Sequence, residues 1–204
     1  MKKPDYWQES LDYLCQHDEK LAIIIKNHND CILTARENAL ESLLGSIVAQ
    51  QISVKAAASI WARIVDVVGE ITTPNVLEAG FDKLRACGLS NQKAQYFINI
   101  AEHFKVNKIN GASHWQNRDY AEVVEELTSI KGVGPWTAQM FGMFYLLEPD
   151  IFPLKDLGII RAINRLYSSG DNDLEMNEIM EISNQWQPYR TIAALFLWRF
   201  IDNE

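Results

Sequence analysis

Two helical segments are joined by Ile130-Lys131-Gly132-Val133-Gly134-Pro135, within LTSIKGVGPWTAQMF, and a connection that short leaves room only for a tight helix-to-helix turn. Glycines at 132 and 134 allow positive φ and a close approach of another chain to the backbone, while Val133 between them can plug the gap between the helices. Pro135 opens the second helix, whose unpaired N–H groups and positive dipole end face outward beside the glycine amides. Such a surface suits a phosphate, and Lys131 adds a charge at the same place. A plain corner between two paired helices uses glycine in the same way, so the turn alone leaves both readings open.

Apolar residues recur at helical spacing almost everywhere, and no alternating run is bounded by hairpin turns. The sequence therefore predicts an all-α fold, with helices over 5–15, 18–28, 36–51, 53–68, 74–79, 81–86, 91–105, 119–129, 135–147, 156–167, 174–186 and 189–201. Ser53 and Ser90 are placed to cap helices, Pro74 stands at a first helical position, and Gly69, Gly80 and Gly88 mark stops. The stretch from Val106 to Gln116 reads as a surface loop.

At 204 residues, 48% hydrophobic and 23% charged, the chain can bury a sizeable core, which excludes disorder and favours one compact domain, itself cleft into lobes. Its longest apolar runs, Met140 to Leu147 and Ala193 to Trp198, fall far short of the roughly 18 residues that span a bilayer, so no membrane partner is expected. No apolar stretch follows the basic start at Met1-Lys2-Lys3, and an intracellular protein is expected: cytoplasmic or nucleoid-associated in a bacterium, nuclear in a eukaryote. Cys15, Cys31 and Cys87 are odd in number and never C-x-x-C, so they are expected to be reduced, mostly buried thiols. Cys15-x-His17 and His28-x-x-Cys31 are the spacings a metal could use, and chance explains both; neither a cofactor nor a catalytic metal is expected.

A net charge of −8 argues against nonspecific binding of polyanions, yet it describes the whole surface and not one face. From 131 to 165 the chain holds Lys131, Lys155, Arg161 and Arg165 against Glu148, Asp150 and Asp156, a slightly positive balance. Acidic residues concentrate later, at Asp171, Asp173, Glu175, Glu178 and Glu181, and read as a solvated face.

Downstream of the hairpin, Pro153 favours an extended approach and LGIIRAINRL is helical, which puts Asp156 at a helix N-terminus. A carboxylate there can simply cap the helix. An ionised carboxylate facing a cleft can also stabilise a cationic transition state, and one residue can do both.

Taken together, Leu127, Ile130, Gly132, Val133, Gly134 and Thr137-Ala138, followed by a Pro-containing loop and an Asp twenty residues beyond Trp136, resemble the helix-hairpin-helix base-excision DNA glycosylase superfamily. Within it the chain is most similar to the AlkA-type 3-methyladenine DNA glycosylase II family, from about Leu43 to Phe200. The supporting motifs are LLGSIVAQQISVKAAASI at 43–60, LRACGLSNQKAQYF at 84–97, the hairpin, PLKDLGIIRAI at 153–163, and W-x-P-Y-R leading to LFLW at 186–198.

The resemblance implies two helical lobes flanking a DNA-binding cleft: one of about 46–147 that includes the hairpin at 127–139, the other of about 1–45 plus 148–204. It implies that Asp156 is the catalytic aspartate, that Trp136 and Trp198 line the pocket for the everted base, and that Gln51 is the wedge filling the gap left in the duplex. Met140 falls on the pocket where relatives can carry an aromatic residue. Lys131, Gly132, Val133, Gly134 and Thr137 fall on the phosphate-binding hairpin. Without the resemblance, the tryptophans read as core and Gln51 as a helix-end amide.

The implied activity is hydrolysis of the N-glycosidic bond of alkylated purines, such as 3-methyladenine and 7-methylguanine, in double-stranded DNA, by a monomer acting through base flipping. The alternatives are a lyase or other-lesion glycosylase of the same fold, and a noncatalytic hairpin module that tethers a partner to DNA. Lyase relatives place a lysine on the hairpin's second helix, where Trp136 stands here, and often carry a four-cysteine cluster near the C-terminus, where this chain has no cysteine after Cys87.

Overall fold

The computed structural model describes residues 3–169 and 172–202. Among them the chain is helical with no strand, as the periodicity predicts. The helices are α1 (Trp7–His17), α2 (Glu19–Asn27), α3 (Ala39–Ala49), α4 (Val54–Val68), α5 (Thr73–Ala86), α6 (Asn91–Val106), α7 (Tyr120–Ser129), α8 (Pro135–Phe141), α9 (Leu157–Tyr167), α10 (Met176–Asn184) and α11 (Arg190–Asp202). No helix among the described residues is long and apolar enough to cross a membrane. Met1, Lys2 and Asp171 lie outside the described residues, whereas Asp173, Glu175, Glu178 and Glu181 are exposed.

The helices group into two compact units, Arg36–Phe141 and Met1–Ala35 with Gly142–Glu204. The boundaries thus differ from the expected 46 and 147. α3 packs on α6 and α8 and carries its own cap, Asn38, so the whole helix belongs with the hairpin. At the other boundary the single helix expected over 135–147 does not form: α8 stops at Phe141 and the chain widens into a π-helical turn over Gly142–Leu146.

In the hairpin-bearing unit, α3 is apolar on nearly every side, with Leu40, Leu43, Leu44, Ile47 and Val48 all buried. Each such side chain stabilises by about 1.5–3 kcal/mol. Ala94, Phe97, Ile100, Ala101 and Phe104 make the buried stripe of α6 at i, i+3, i+6, i+7 and i+10. The expected caps form: Ser53 accepts from the Ala56 N–H and Ser90 from the Lys93 N–H. Gly80, at φ 69°, breaks α5 into the two short helices expected there.

In the other unit, α11 buries Thr191, Ile192, Ala193, Ala194, Phe196 and Leu197, and so has no polar face to offer solvent along its middle. It packs on α9, α2 and α1. Asp18 is buried there and well satisfied, accepting from Leu21 N–H at 2.9 Å, Tyr167 Oη at 2.6 Å and Trp186 Nε1 at 2.8 Å. Trp186 and Tyr189 of the W-x-P-Y-R motif are therefore core. All three cysteines are free thiols, but only Cys87 is buried; Cys15 and Cys31 lie at half-exposed helix and loop positions, which corrects the expectation that most are buried.

Candidate functional site

Asp156 caps α9. Its own N–H donates to the Pro153 carbonyl at 2.8 Å, closing the turn that precedes the helix. Its Oδ1 accepts from Gly158 N–H at 2.9 Å and Ile159 N–H at 3.1 Å, so the capping reading holds. The same oxygen also accepts from Trp198 Nε1 at 2.9 Å, a bond no cap requires. Phe144, from the π-helical turn, stacks on Trp198 with centroids 6.0 Å apart and planes 29° from parallel. A Cβ on Gly158 would sit 3.1 Å from both Asp156 Oδ1 and Trp198 Cδ1, so the absence of a side chain keeps room for the indole beside the carboxylate.

The loop that delivers Asp156 is tied to the start of α11. Ile151 N–H donates to Thr191 Oγ1 at 3.0 Å, Thr191 Oγ1 donates to the Glu148 carbonyl at 2.6 Å, and Arg190 grips Asp150 through Nε at 2.6 Å and Nη2 at 2.8 Å. Tyr6 donates its hydroxyl to the carbonyl of Leu147 at 2.8 Å, and burial, with the Glu148 charge, pushes its pKa well above the usual range. Lys155 stands exposed in the turn before the cap, outside the helix.

In the hairpin, Leu127, Ile130 and Val133 are buried, and Val133 plugs the turn as its position predicts. Only one of the two glycines takes a positive φ. Gly132, at 108°, lies on the ring of Tyr96, where a Cβ would come within 2.2 Å of Cγ, so its need for glycine is internal. Gly134 is not among the positive-φ glycines, and a Cβ there meets nothing within 4 Å, which leaves its face open. Lys131 is exposed, and its carbonyl accepts from Asn99 Nδ2 at 2.9 Å. Thr137 is buried at 1% exposure and its hydroxyl accepts from Gln50 Nε2 at 3.0 Å. On α8, Trp136 is half-buried and Met140 is buried, so of these two only the tryptophan presents surface.

The first hairpin helix is anchored through Glu126. His103 Nε2 and His114 Nε2 lie 2.9 and 3.0 Å from its Oε1, and Arg118 pairs with Oε2. Burial alone would raise the Glu126 pKa, but the bonds from Arg118, His103 and His114 outweigh it and hold the carboxylate at about 2.

Gln51 is exposed, at φ 56°, in the turn between α3 and α4. Left-handed backbone is unusual for a residue with a Cβ and is a common mark of a functional turn. Its neighbour Gln50 reaches the hairpin through Thr137, and Lys93 Nζ donates to the carbonyls of Val48 and Gln50 at 2.8 Å each. Gln50, Lys93, Phe144 and Gly158 were not legible as site residues. The only sequence signal was a run of polar positions, Lys93, Tyr96 and Asn99, at i, i+3 and i+6 beside the apolar stripe of α6.

The structure thus brings Asp156 and Trp198 together in one unit, and the Gln51 turn and the hairpin together in the other. A carboxylate held in contact with an indole offers negative charge and an electron-rich face side by side, a combination that favours a cation.

Residues 44–188 match the model of the family described as the HhH-GPD superfamily base excision DNA repair protein. The chain is 31% identical to the DNA-3-methyladenine glycosylase of Saccharomyces cerevisiae, over 94% of this chain and 80% of that protein. Among solved structures it is similar to the 3-methyladenine DNA glycosylase Mag1 of Schizosaccharomyces pombe in complex with abasic DNA, with TM-score 0.81 and 27% identity over 94% of this chain and 95% of that one. It is also similar to a DNA-3-methyladenine glycosidase of Bacillus halodurans, with TM-score 0.74 and 29% identity over 98% and 93%.

Proposed function

Because the chain belongs to the HhH-GPD superfamily of base excision DNA repair proteins, we propose that it is a monofunctional DNA glycosylase, acting as a monomer, that releases alkylated purines of the 3-methyladenine and 7-methylguanine type from double-stranded DNA. The observation that carries this reading is the 2.9 Å bond between Trp198 Nε1 and Asp156 Oδ1, which joins an aromatic face to an oriented carboxylate.

An alkylated purine carries positive charge and leaves as a neutral base, so it needs no strong general acid. As the C1′–N bond breaks, positive charge develops on the sugar, and Asp156 stabilises it electrostatically. Water then forms the new C1′–O bond and gives up a proton, which Asp156 accepts or passes to solvent. Trp198 and Trp136 offer π faces to the cationic base, and weak stacking of a damaged base lowers the cost of flipping it. Gln51 fills the vacated position, while Lys131 and the backbone at Gly132, Val133, Gly134 and Thr137 engage phosphate without reading sequence.

The test is single-turnover base release from duplexes that each carry one lesion, with wild type and Asp156→Asn. The asparagine oxygen still caps α9, so the variant is expected to fold and to bind DNA as well as wild type or better, because a negative charge facing the duplex is gone. Release should fall by at least about a hundredfold. A wild-type rate in the variant removes Asp156 from the chemistry, and no release from any alkylated duplex by the wild type favours a noncatalytic DNA-binding module.

A further inference from the structure

One helix holds both the insertion turn and the hairpin. Along α6, Lys93, Tyr96 and Asn99 follow at i, i+3 and i+6 on one face. Lys93 Nζ donates to the carbonyls of Val48, in the last turn of α3, and Gln50, one residue before Gln51. Tyr96 lies under Gly132, and Asn99 Nδ2 donates to the Lys131 carbonyl. The fourth link closes the circuit: Gln50 Nε2 donates to the hydroxyl of Thr137 at 3.0 Å on α8. Thr137 is buried and Gln50 half-buried, so that bond is partly shielded from competing water.

These bonds surround a backbone that would otherwise relax. Gln51, at φ 56°, is a non-glycine residue in the left-handed region, and such a conformation persists only where its surroundings over-determine it. The Lys93 ammonium fixes the carbonyl just before it and Ser53 caps the helix just after it. Burial pulls the Lys93 pKa down, while its ammonium is engaged by the two carbonyls.

We propose that Lys93 and Gln50 are positioning residues for the insertion of Gln51, locking its turn to the hairpin so that gripping the backbone and probing the stack occur in one fixed register. This inference rests on the reading of Gln51 as the wedge. It assigns Lys93 no contact with the base or the sugar. Its consequence is selective: loosening the lock penalises binding where there is a gap to fill and spares binding to intact duplex.

The test compares affinity for two duplexes of one sequence, one intact and one with a tetrahydrofuran abasic analogue, using Gln51→Ala, Lys93→Met, Lys93→Arg, Gln50→Leu and the double variants with Gln51→Ala. Gln51→Ala should lose the preference for the abasic duplex. Lys93→Met and Gln50→Leu should each cut that preference by about tenfold while intact-duplex affinity stays within about twofold. Either change added to Gln51→Ala should cost nothing more, because both act through the same side chain. Lys93→Arg, which keeps a charged donor, should restore most of the preference.

Equal losses on both duplexes, or losses that add to that of Gln51→Ala, overturn the proposal, since a merely structural residue behaves so. If Lys93→Met loses its helical circular dichroism, Gln50→Leu decides alone. Wild-type preference in Gln51→Ala defeats the wedge reading and the proposal with it. That result is distinct from loss in Gln51→Ala with wild-type preference in Lys93→Met and Gln50→Leu, which defeats the coupling alone.

Discussion

Trp198 Nε1 and Asp156 Oδ1 lie 2.9 Å apart, on an oxygen that also receives two backbone N–H groups of α9. Three donors on one atom fix the plane of the carboxylate and the tilt of the indole together. Orientation of this kind is set before any ligand arrives and need not be reorganised during a reaction. The flanking contacts hold the same geometry: Phe144 stacks on the indole, and Gly158 leaves it space.

Trp198→Phe keeps a ring and removes the donor. A hydrogen bond to a charged group contributes about 1.5–3 kcal/mol, so single-turnover release is expected to fall by about tenfold to a hundredfold. The same bond is lost from the folded state, so the free energy of unfolding by urea should fall by up to about 3 kcal/mol. A wild-type release rate in this variant would mean that the indole N–H does not orient the carboxylate for reaction.

The two hairpin glycines should separate stability from binding. Gly132→Ala forces a Cβ against the Tyr96 ring at a positive φ, and is expected to destabilise the protein by about 1–3 kcal/mol. A Cβ at Gly134 meets no neighbour, so Gly134→Leu is expected to leave the thermal midpoint nearly unchanged and to weaken intact and damaged duplex alike, with a shallower salt dependence. Undiminished affinity and an unchanged salt slope in Gly134→Leu would count against phosphate binding at the hairpin.

Glu126 should make the stability of the hairpin-bearing unit sensitive to acid. Its folded pKa is held at about 2, below the ordinary 4.5, so its contribution is fully present above that ordinary value and is lost as pH falls from about 4.5 to about 2. The difference corresponds to an upper bound of about 3–4 kcal/mol, which solvent screening at this partly exposed group reduces. Glu126→Gln, which leaves Arg118, His103 and His114 facing an uncharged amide, should lower the urea midpoint at pH 7 and converge on wild type near pH 2. A gap between the two proteins that stays constant across this range would show that the charge of Glu126 is not what anchors α7.

Product chemistry gives the last test. Strand cleavage needs an amine that attacks the sugar and forms a Schiff base. On the resemblance to the glycosylase superfamily, Trp136 would stand on α8 where a lyase needs its lysine, Lys155 is exposed in the turn before Asp156, and Lys131 belongs to the hairpin turn. The expected product is an intact strand with an abasic site, formed equally well in chelator. Borohydride added during turnover on alkylated duplex should trap no protein–DNA adduct; a stoichiometric adduct would establish a lyase, and its mapped lysine would be the nucleophile.

What the sequence determined by itself is local. Periodicity sets the helices, Ser53 and Ser90 set their starts, Gly69, Gly80 and Gly88 their ends, and Asp156 the cap of α9, because each depends on residues within a turn or two along the chain. The hairpin is legible for the same reason, and the resemblance carried by its motif led to the family. Tertiary structure decided the rest. Trp198 reaches Asp156 across 42 residues of chain, Tyr96 and not an outside partner dictates glycine at 132, and Lys93 holds a turn more than 40 positions before it. α3 joined the hairpin-bearing unit, and the helix expected over 135–147 opened into a π-helical turn that sets Phe144 on Trp198. Such pairings follow from which helix faces pack and at what offset, and a pattern repeating every 3.6 residues tells which face is buried without telling which neighbour buries it.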